Sequence, residues 1–73
     1  MNKNIIDVKS LGDTISQIRK LQGLSQEDLA GITGTGRRFI SDLEKGKETS
    51  QIGKIFQILG ALGITIHLSN QWK

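Results

Sequence analysis

Two adjacent arginines, Arg37 and Arg38, follow a Gly34-Thr35-Gly36 stretch and precede the run Phe39-Ile40-Ser41-Asp42-Leu43. A guanidinium is permanently charged and presents a planar fork of donors, which suits carboxylates, phosphates and the O6/N7 edge of guanine. In a helix running from about Arg37 to Lys45 both arginines fall in the first turn, where the helix dipole disfavours cations by ~0.3–1 kcal/mol each. The only acid of that helix three or four residues from either arginine is Asp42, four after Arg38, in the weaker orientation for such a pair. Stability alone does not account for arginines here. A nucleic-acid partner does, and a solvated surface pair is the plain alternative. Ser41, one turn further on, is either a base or phosphate contact or an exposed helix serine. Lys45 and Lys47 flank the helix exit, as phosphate contacts or as surface lysines without a role. Gln26 opens the preceding helix, where the first backbone amides are themselves anion donors.

Other chemistries are poorly served. The chain has no Cys and one His, His67, so it lacks the ligands of a structural zinc site and any nucleophile–base pair of diagnostic spacing. The Gly-Thr-Gly stretch follows no strand, and no GxxxxGK[ST] run occurs. The expectation is a protein that is not an enzyme and carries no cofactor and no metal. No apolar run at the N-terminus is long enough for a signal peptide or membrane span. Net charge is +3, yet residues 24–46 set Arg37, Arg38 and Lys45 against Glu27, Asp28, Asp42 and Glu44. Polyanion binding must therefore rest on a local patch. A chain of 73 residues without disulfides builds only a small core, which leaves oligomerisation as the available support.

The elements that must hold these residues can be read in order. Leu11, Ile15, Ile18 and Leu21 form a helical stripe from Ser10, closed by Gly23. Ser25 and Asp28 form a near capping box for a second helix, with Leu29 and Ile32 as its buried side and Gly34 as its end. The third helix turns Phe39, Ile40 and Leu43 inward. Thr49 or Ser50 caps a fourth, whose stripe is Ile52, Ile55, Phe56, Leu59 and Leu62; Gly53 and Gly60 within it suggest close packing. Ile64 to Ser69 then alternates apolar and polar with period two, the pattern of a strand. Such a strand needs a partner. Residues 5–8, with Ile6 and Val8 alternating, supply one if they are not simply a clamp on the core; the same strand of a second copy is favoured, with Ile64, Ile66 and Leu68 as dimerisation residues. Trp72 is either a tail anchor or part of a frayed terminus.

The residues Gln26-Glu27-Asp28-Leu29-Ala30, Gly34, Ile40-Ser41 and Leu43-Glu44-Lys45-Gly46 resemble, position by position, the helix-turn-helix of the XRE/phage-repressor-like family. The similarity runs over roughly residues 11–62. Within the family the GRRFISDLEKGK stretch, the helix over 49–62 and the ITIHL strand are most similar to HipB-type antitoxins. Two departures stand out: Thr33 occupies a place usually apolar, which would loosen the turn, and Gly36 one usually filled by a side chain able to touch DNA. The resemblance implies an all-α domain of four to five helices over 1–73, with the helix-turn-helix unit at 25–45 and a dimerising strand at 64–69. It implies a cytoplasmic bacterial repressor that binds a palindromic double-stranded DNA operator as a homodimer and also binds a HipA-like Ser/Thr kinase toxin. The DNA contacts would be Gln26, Gly36, Arg37, Arg38, Ser41, Lys45 and Lys47. The rival readings are a protein-interaction module of the same fold with little DNA binding, and a phage-type repressor unrelated to a toxin.

Overall fold

A computed structural model describes residues 4–5, 7–48 and 51–71. The first helix, α1 (Val8–Leu21), begins two residues before the apolar stripe suggests, because Asp7 caps it. The Asp7 carboxylate accepts from the Ser10 amide at 2.8 Å, and the Ser10 hydroxyl accepts from the Asp7 amide at 3.3 Å, which satisfies two donors of the helix start reciprocally. Val8 is thus helical and packs on the core, which corrects the strand reading of 5–8; Ile6 lies outside the described residues. At its other end the Gly23 and Leu24 amides bond back to the Lys20 and Arg19 carbonyls, the paired 5→2 and 6→1 bonds of a Schellman stop.

Helix α2 (Gln26–Thr33) and helix α3 (Arg37–Glu44) follow, then α4 (Ile52–Ala61). The fold is all-α with four helices, not five, among the described residues. Helix α3 packs against both α1 and α2, and α4 packs against α2. The core they enclose is Ile15, Leu29, Ile40, Leu43, Ile55, Ile58, Leu59 and Leu62. Helices as short as α2 and α3 have no independent stability, so this burial is what keeps them folded.

Several residues expected in the core are not there. Leu21, Ile32, Ile52 and Phe56 are exposed, whereas Phe39 is half-buried and packs against the core, with Lys54 Nζ 5.3 Å from its ring centre. On α4 the buried set is Ile55, Ile58, Leu59 and Leu62, an i, i+3, i+4, i+7 stripe rotated from the expected one. Nothing lies close to Gly53 or Gly60, so neither marks a tight contact. Gly12 does. A Cβ there would overlap the Leu43 carbonyl oxygen and lie 3.1 Å from the Glu44 backbone, so α1 and α3 meet through the missing side chain. Helix α4 has Gln51 at its N-cap without a side-chain cap; Thr49 and Ser50, the expected caps, lie outside the described residues, as does Trp72.

The dimerising strand over 64–69 is not formed among the described residues. Part of the reason is local. The Ile64 amide bonds to the Leu59 carbonyl at 2.9 Å and its side chain packs on the core, so Ile64 completes the α4 stop instead of opening a strand. Ile66 and Leu68 are exposed, Leu68 at 93%, and the chain itself supplies no described strand to pair with them.

Candidate nucleic-acid interface

The α2–turn–α3 unit is built by local chemistry. The Ser25 hydroxyl accepts from the Asp28 amide, and the Asp28 carboxylate accepts from the Ser25 amide, both at 2.9 Å. Hydrogen bonding from Ser25 holds the Asp28 carboxyl below its ordinary pKa. Helix α2 ends where Gly34 adopts φ 70°, and Gly36 adopts φ 89° two residues later. Both conformations are open to glycine and costly for side chains with a Cβ. Gly36 is therefore the backbone hinge that starts α3 and gives it no side-chain cap. Thr33 does not loosen this turn. Its hydroxyl donates to the Leu29 carbonyl at 2.9 Å and lies 2.9 Å from the Thr35 hydroxyl, while Thr35 is buried. The pair replaces an apolar plug with a satisfied polar one.

Arg37 and Arg38 emerge from this turn, both exposed. Arg37 Nε is 4.0 Å from Glu27 Oε1, with side-chain exposures of 62% and 81%, a pair worth little in water. Arg38 makes no ion pair among the described residues. The counter-charge expected for it, Asp42, lies instead 3.6 Å from Lys47 Nζ. Arg38, Ser41 and Lys45 follow at steps of three and four and so share one stripe of α3, with Arg37 beside it and Ile40 and Leu43 on the opposite, buried side. Ser41 is half-buried and Lys45 exposed. Gln26 is not a free first-turn side chain: its Nε2 donates to Glu44 Oε1 at 3.1 Å.

Arg19 and Glu44 are the structural surprise. Arg19, which lies off the apolar stripe of α1, is buried, and its Nε and Nη2 donate to Glu44 at 2.7 and 2.9 Å. Its Nη1 donates to the Leu24 carbonyl at 2.7 Å. Burial alone pushes the Glu44 carboxyl up, but the hydrogen bonds from Arg19, Gln26 and Ser16 and the Arg19 charge together hold it below its ordinary value. The same bond raises Arg19. The signal available was the spacing: Gly12, Ile15 and Arg19 are the buried i, i+3, i+7 stripe of α1, of which only Ile15 is a large hydrophobe.

This geometry is a helix-turn-helix with an arginine pair at the tip of its second helix. The helix-turn-helix family HTH_3 matches residues 15–68. The chain belongs to that family. This HTH_3 chain is 47% identical over 68 residues to the HTH-type transcriptional regulator y4mF of Sinorhizobium fredii (strain NBRC 101917 / NGR234), covering 93% of itself and 90% of the relative. In three dimensions it is similar to a chain of the HipA–HipB–O2–O3 complex, with a TM-score of 0.85 at 22% identity, over 97% of this chain and 100% of the other. The restriction-modification controller protein C.AhdI from Aeromonas hydrophila superposes with a TM-score of 0.72 at 29% identity, over 80% of this chain and 88% of the other. The HipB likeness, at that identity, is one of fold. Among the described residues no helix is long and apolar enough to cross a membrane.

Proposed function

We propose that this helix-turn-helix transcriptional regulator is a non-enzymatic repressor that binds double-stranded DNA as a homodimer and reads it with Arg37 and Arg38. The observation that carries the reading is the exposure of both guanidiniums at the uncapped first turn of α3. The N-terminal residues of a recognition helix are those that reach base edges in the major groove. Ser41 and Lys45 continue the stripe, Lys47 extends the cationic exit beside Asp42, and Gln26 meets the backbone from the start of α2. Gly36 contributes no side chain, so its role is the hinge and the close approach of the backbone.

The dimer is supported by the surface. Ile5, Ile52, Phe56, Ile66 and Leu68, five exposed large hydrophobics, line one cleft between α1, α4 and the C-terminal segment. A second copy placed there shields them, with Ile66 and Leu68 pairing across the two-fold axis. The finer reading is an antitoxin of a HipA-like type II system that represses its own operon and binds the kinase toxin; the HipB fold likeness supports it. Co-expression with a HipA-like kinase tests that part: a stable complex is expected, and two proteins that purify apart contradict it.

Selection from a randomised duplex library tests the DNA reading. The expected product is a rough palindrome with half-sites about one helical turn, ~34 Å, apart. Failure to enrich any duplex would leave the protein-interaction reading standing in its place.

A further inference from the structure

Glu44 closes α3, and its carboxylate lies between side chains from two other helices. Arg19 of α1 donates to both carboxylate oxygens, and Gln26 of α2 donates to Oε1 at 3.1 Å. The Arg19 and Glu44 side chains keep only 8% and 6% of their exposure, so the carboxylate is fixed in place. A carboxylate only accepts, so the Gln26 amide must face it with nitrogen and not with oxygen. One Nε2 proton is thereby committed inward. The other Nε2 proton is left for the outer side, at the first position of α2, where the backbone amides have no intrahelical acceptor.

We propose that Glu44 is a positioning residue for DNA binding: locked by Arg19, it sets the roll of the Gln26 carboxamide so that the outward Nε2 proton meets a backbone phosphate. The inference rests on the DNA-binding reading above. It gives a buried anion a favourable part in binding a polyanion, which separates it from a general charge effect. Glu44→Gln removes a negative charge and leaves Arg19 unneutralised, so long-range attraction alone tightens binding. Positioning predicts the opposite, because a glutamine has one acceptor oxygen for the Arg19 Nε, Arg19 Nη2 and Gln26 Nε2 donors, so its NH2 is set against a donor and the fixed geometry around Gln26 is lost.

The test uses a duplex of about 25 base pairs, long enough for two half-sites one turn apart, selected by the wild-type protein from a randomised library. Its affinity is measured at fixed salt for wild type, Gln26→Ala, Glu44→Gln and the double variant. Each single change is expected to weaken binding at least about tenfold, the loss of one hydrogen bond to a charged group in each half-site. The double variant is expected to be no weaker than the weaker single, since both delete the same contact. Unchanged or tighter binding by Glu44→Gln, or losses that multiply in the double variant, overturns the positioning role. Should Glu44→Gln not fold, nuclear relaxation of side-chain amides in the wild-type protein decides. Gln26 is expected to be rigid on the ps–ns timescale relative to the exposed Gln57, and equal mobility overturns the inference. A library that yields no duplex overturns the DNA-binding reading itself, which multiplicative losses on a bound duplex do not.

Discussion

Arginine is poorly matched to the first turn of a helix, and the structure gives Arg37 and Arg38 little in compensation. One has a distant, exposed partner at 4.0 Å, and the other has no ion pair among the described residues. Each is expected to be dispensable for folding: Arg38→Ala should leave the melting temperature unchanged or slightly raised, because an unfavourable dipole interaction of ~0.3–1 kcal/mol is removed. Thermal denaturation of the variant checks this. A second residue behaves in the opposite way. Gly12→Ala sets a methyl group against the Leu43 carbonyl and the Glu44 backbone, which cannot rotate aside, so α1 and α3 must separate at a cost of ~1–3 kcal/mol. Urea unfolding should show that loss, whereas Gly31→Ala, with open space around its Cβ, should stabilise by roughly 0.5–1 kcal/mol as helix propensity gains. At this scale the sequence was readable where the partners are close. The Ser25–Asp28 box and the Gly34 stop each lie within a few residues. For Arg19 the sequence offers only its spacing from Gly12 and Ile15, because the Glu44 carboxylate that makes its burial possible is 25 residues away.

Among the elements, the Arg19–Glu44 pair ties α1 to the end of α3 and so fixes the angle at which the arginines are presented. Breaking a buried pair from one side leaves an uncompensated charge, and Arg19→Ala is expected to destabilise by ~3–5 kcal/mol, measured by urea unfolding. The pair also sets a pH dependence. Glu44 has a folded pKa below the ordinary value of 4.5. Its contribution is therefore complete above that value and is lost as pH falls through the lower folded one. Asp7 and Asp28 are lowered as well, by Ser10 and Ser25 at the two capping boxes, and act in the same direction. Melting temperature should fall as pH drops below about 4.5, and Glu44→Gln should flatten that slope without abolishing it. The element pattern itself was legible: four helices, their order and the turn all follow from periodicity and glycines. The rotation of each helix was less so, since Ile52 and Phe56 fit the α4 stripe as well by spacing as Ile58 does. Which of them is covered is decided by the elements α4 packs against, α2 foremost.

For the whole molecule, the exposed apolar residues are informative because most of them collect on one side. Ile52, Phe56, Ile66 and Leu68 all border the cleft between α1, α4 and the C-terminal segment, and a core of eight buried apolar side chains among the described residues is small for a 73-residue chain, which gives it modest stability of its own. The proposed assembly through that face would make stability depend on concentration, so the melting temperature should rise with protein concentration. Ile66→Lys should yield monomers by sedimentation; a dimer that persists would exclude pairing through the C-terminal segment. The alternation from Ile64 to Ser69 was visible in sequence, but alternation says only that a segment has two faces. Whether it becomes a strand is decided by a partner that a single chain does not carry.

DNA specificity is proposed to reside in Arg37 and Arg38 and not in general basicity. That assignment is tested most directly by the affinity of the Arg37→Ala, Arg38→Ala double variant for a duplex selected by the wild-type protein, with the oligomeric state measured in parallel. Loss of two base contacts in each half-site, worth ~1–3 kcal/mol each, predicts a drop of about 1000-fold or more with the assembly intact. Affinity equal to wild type would remove both arginines from the recognition surface.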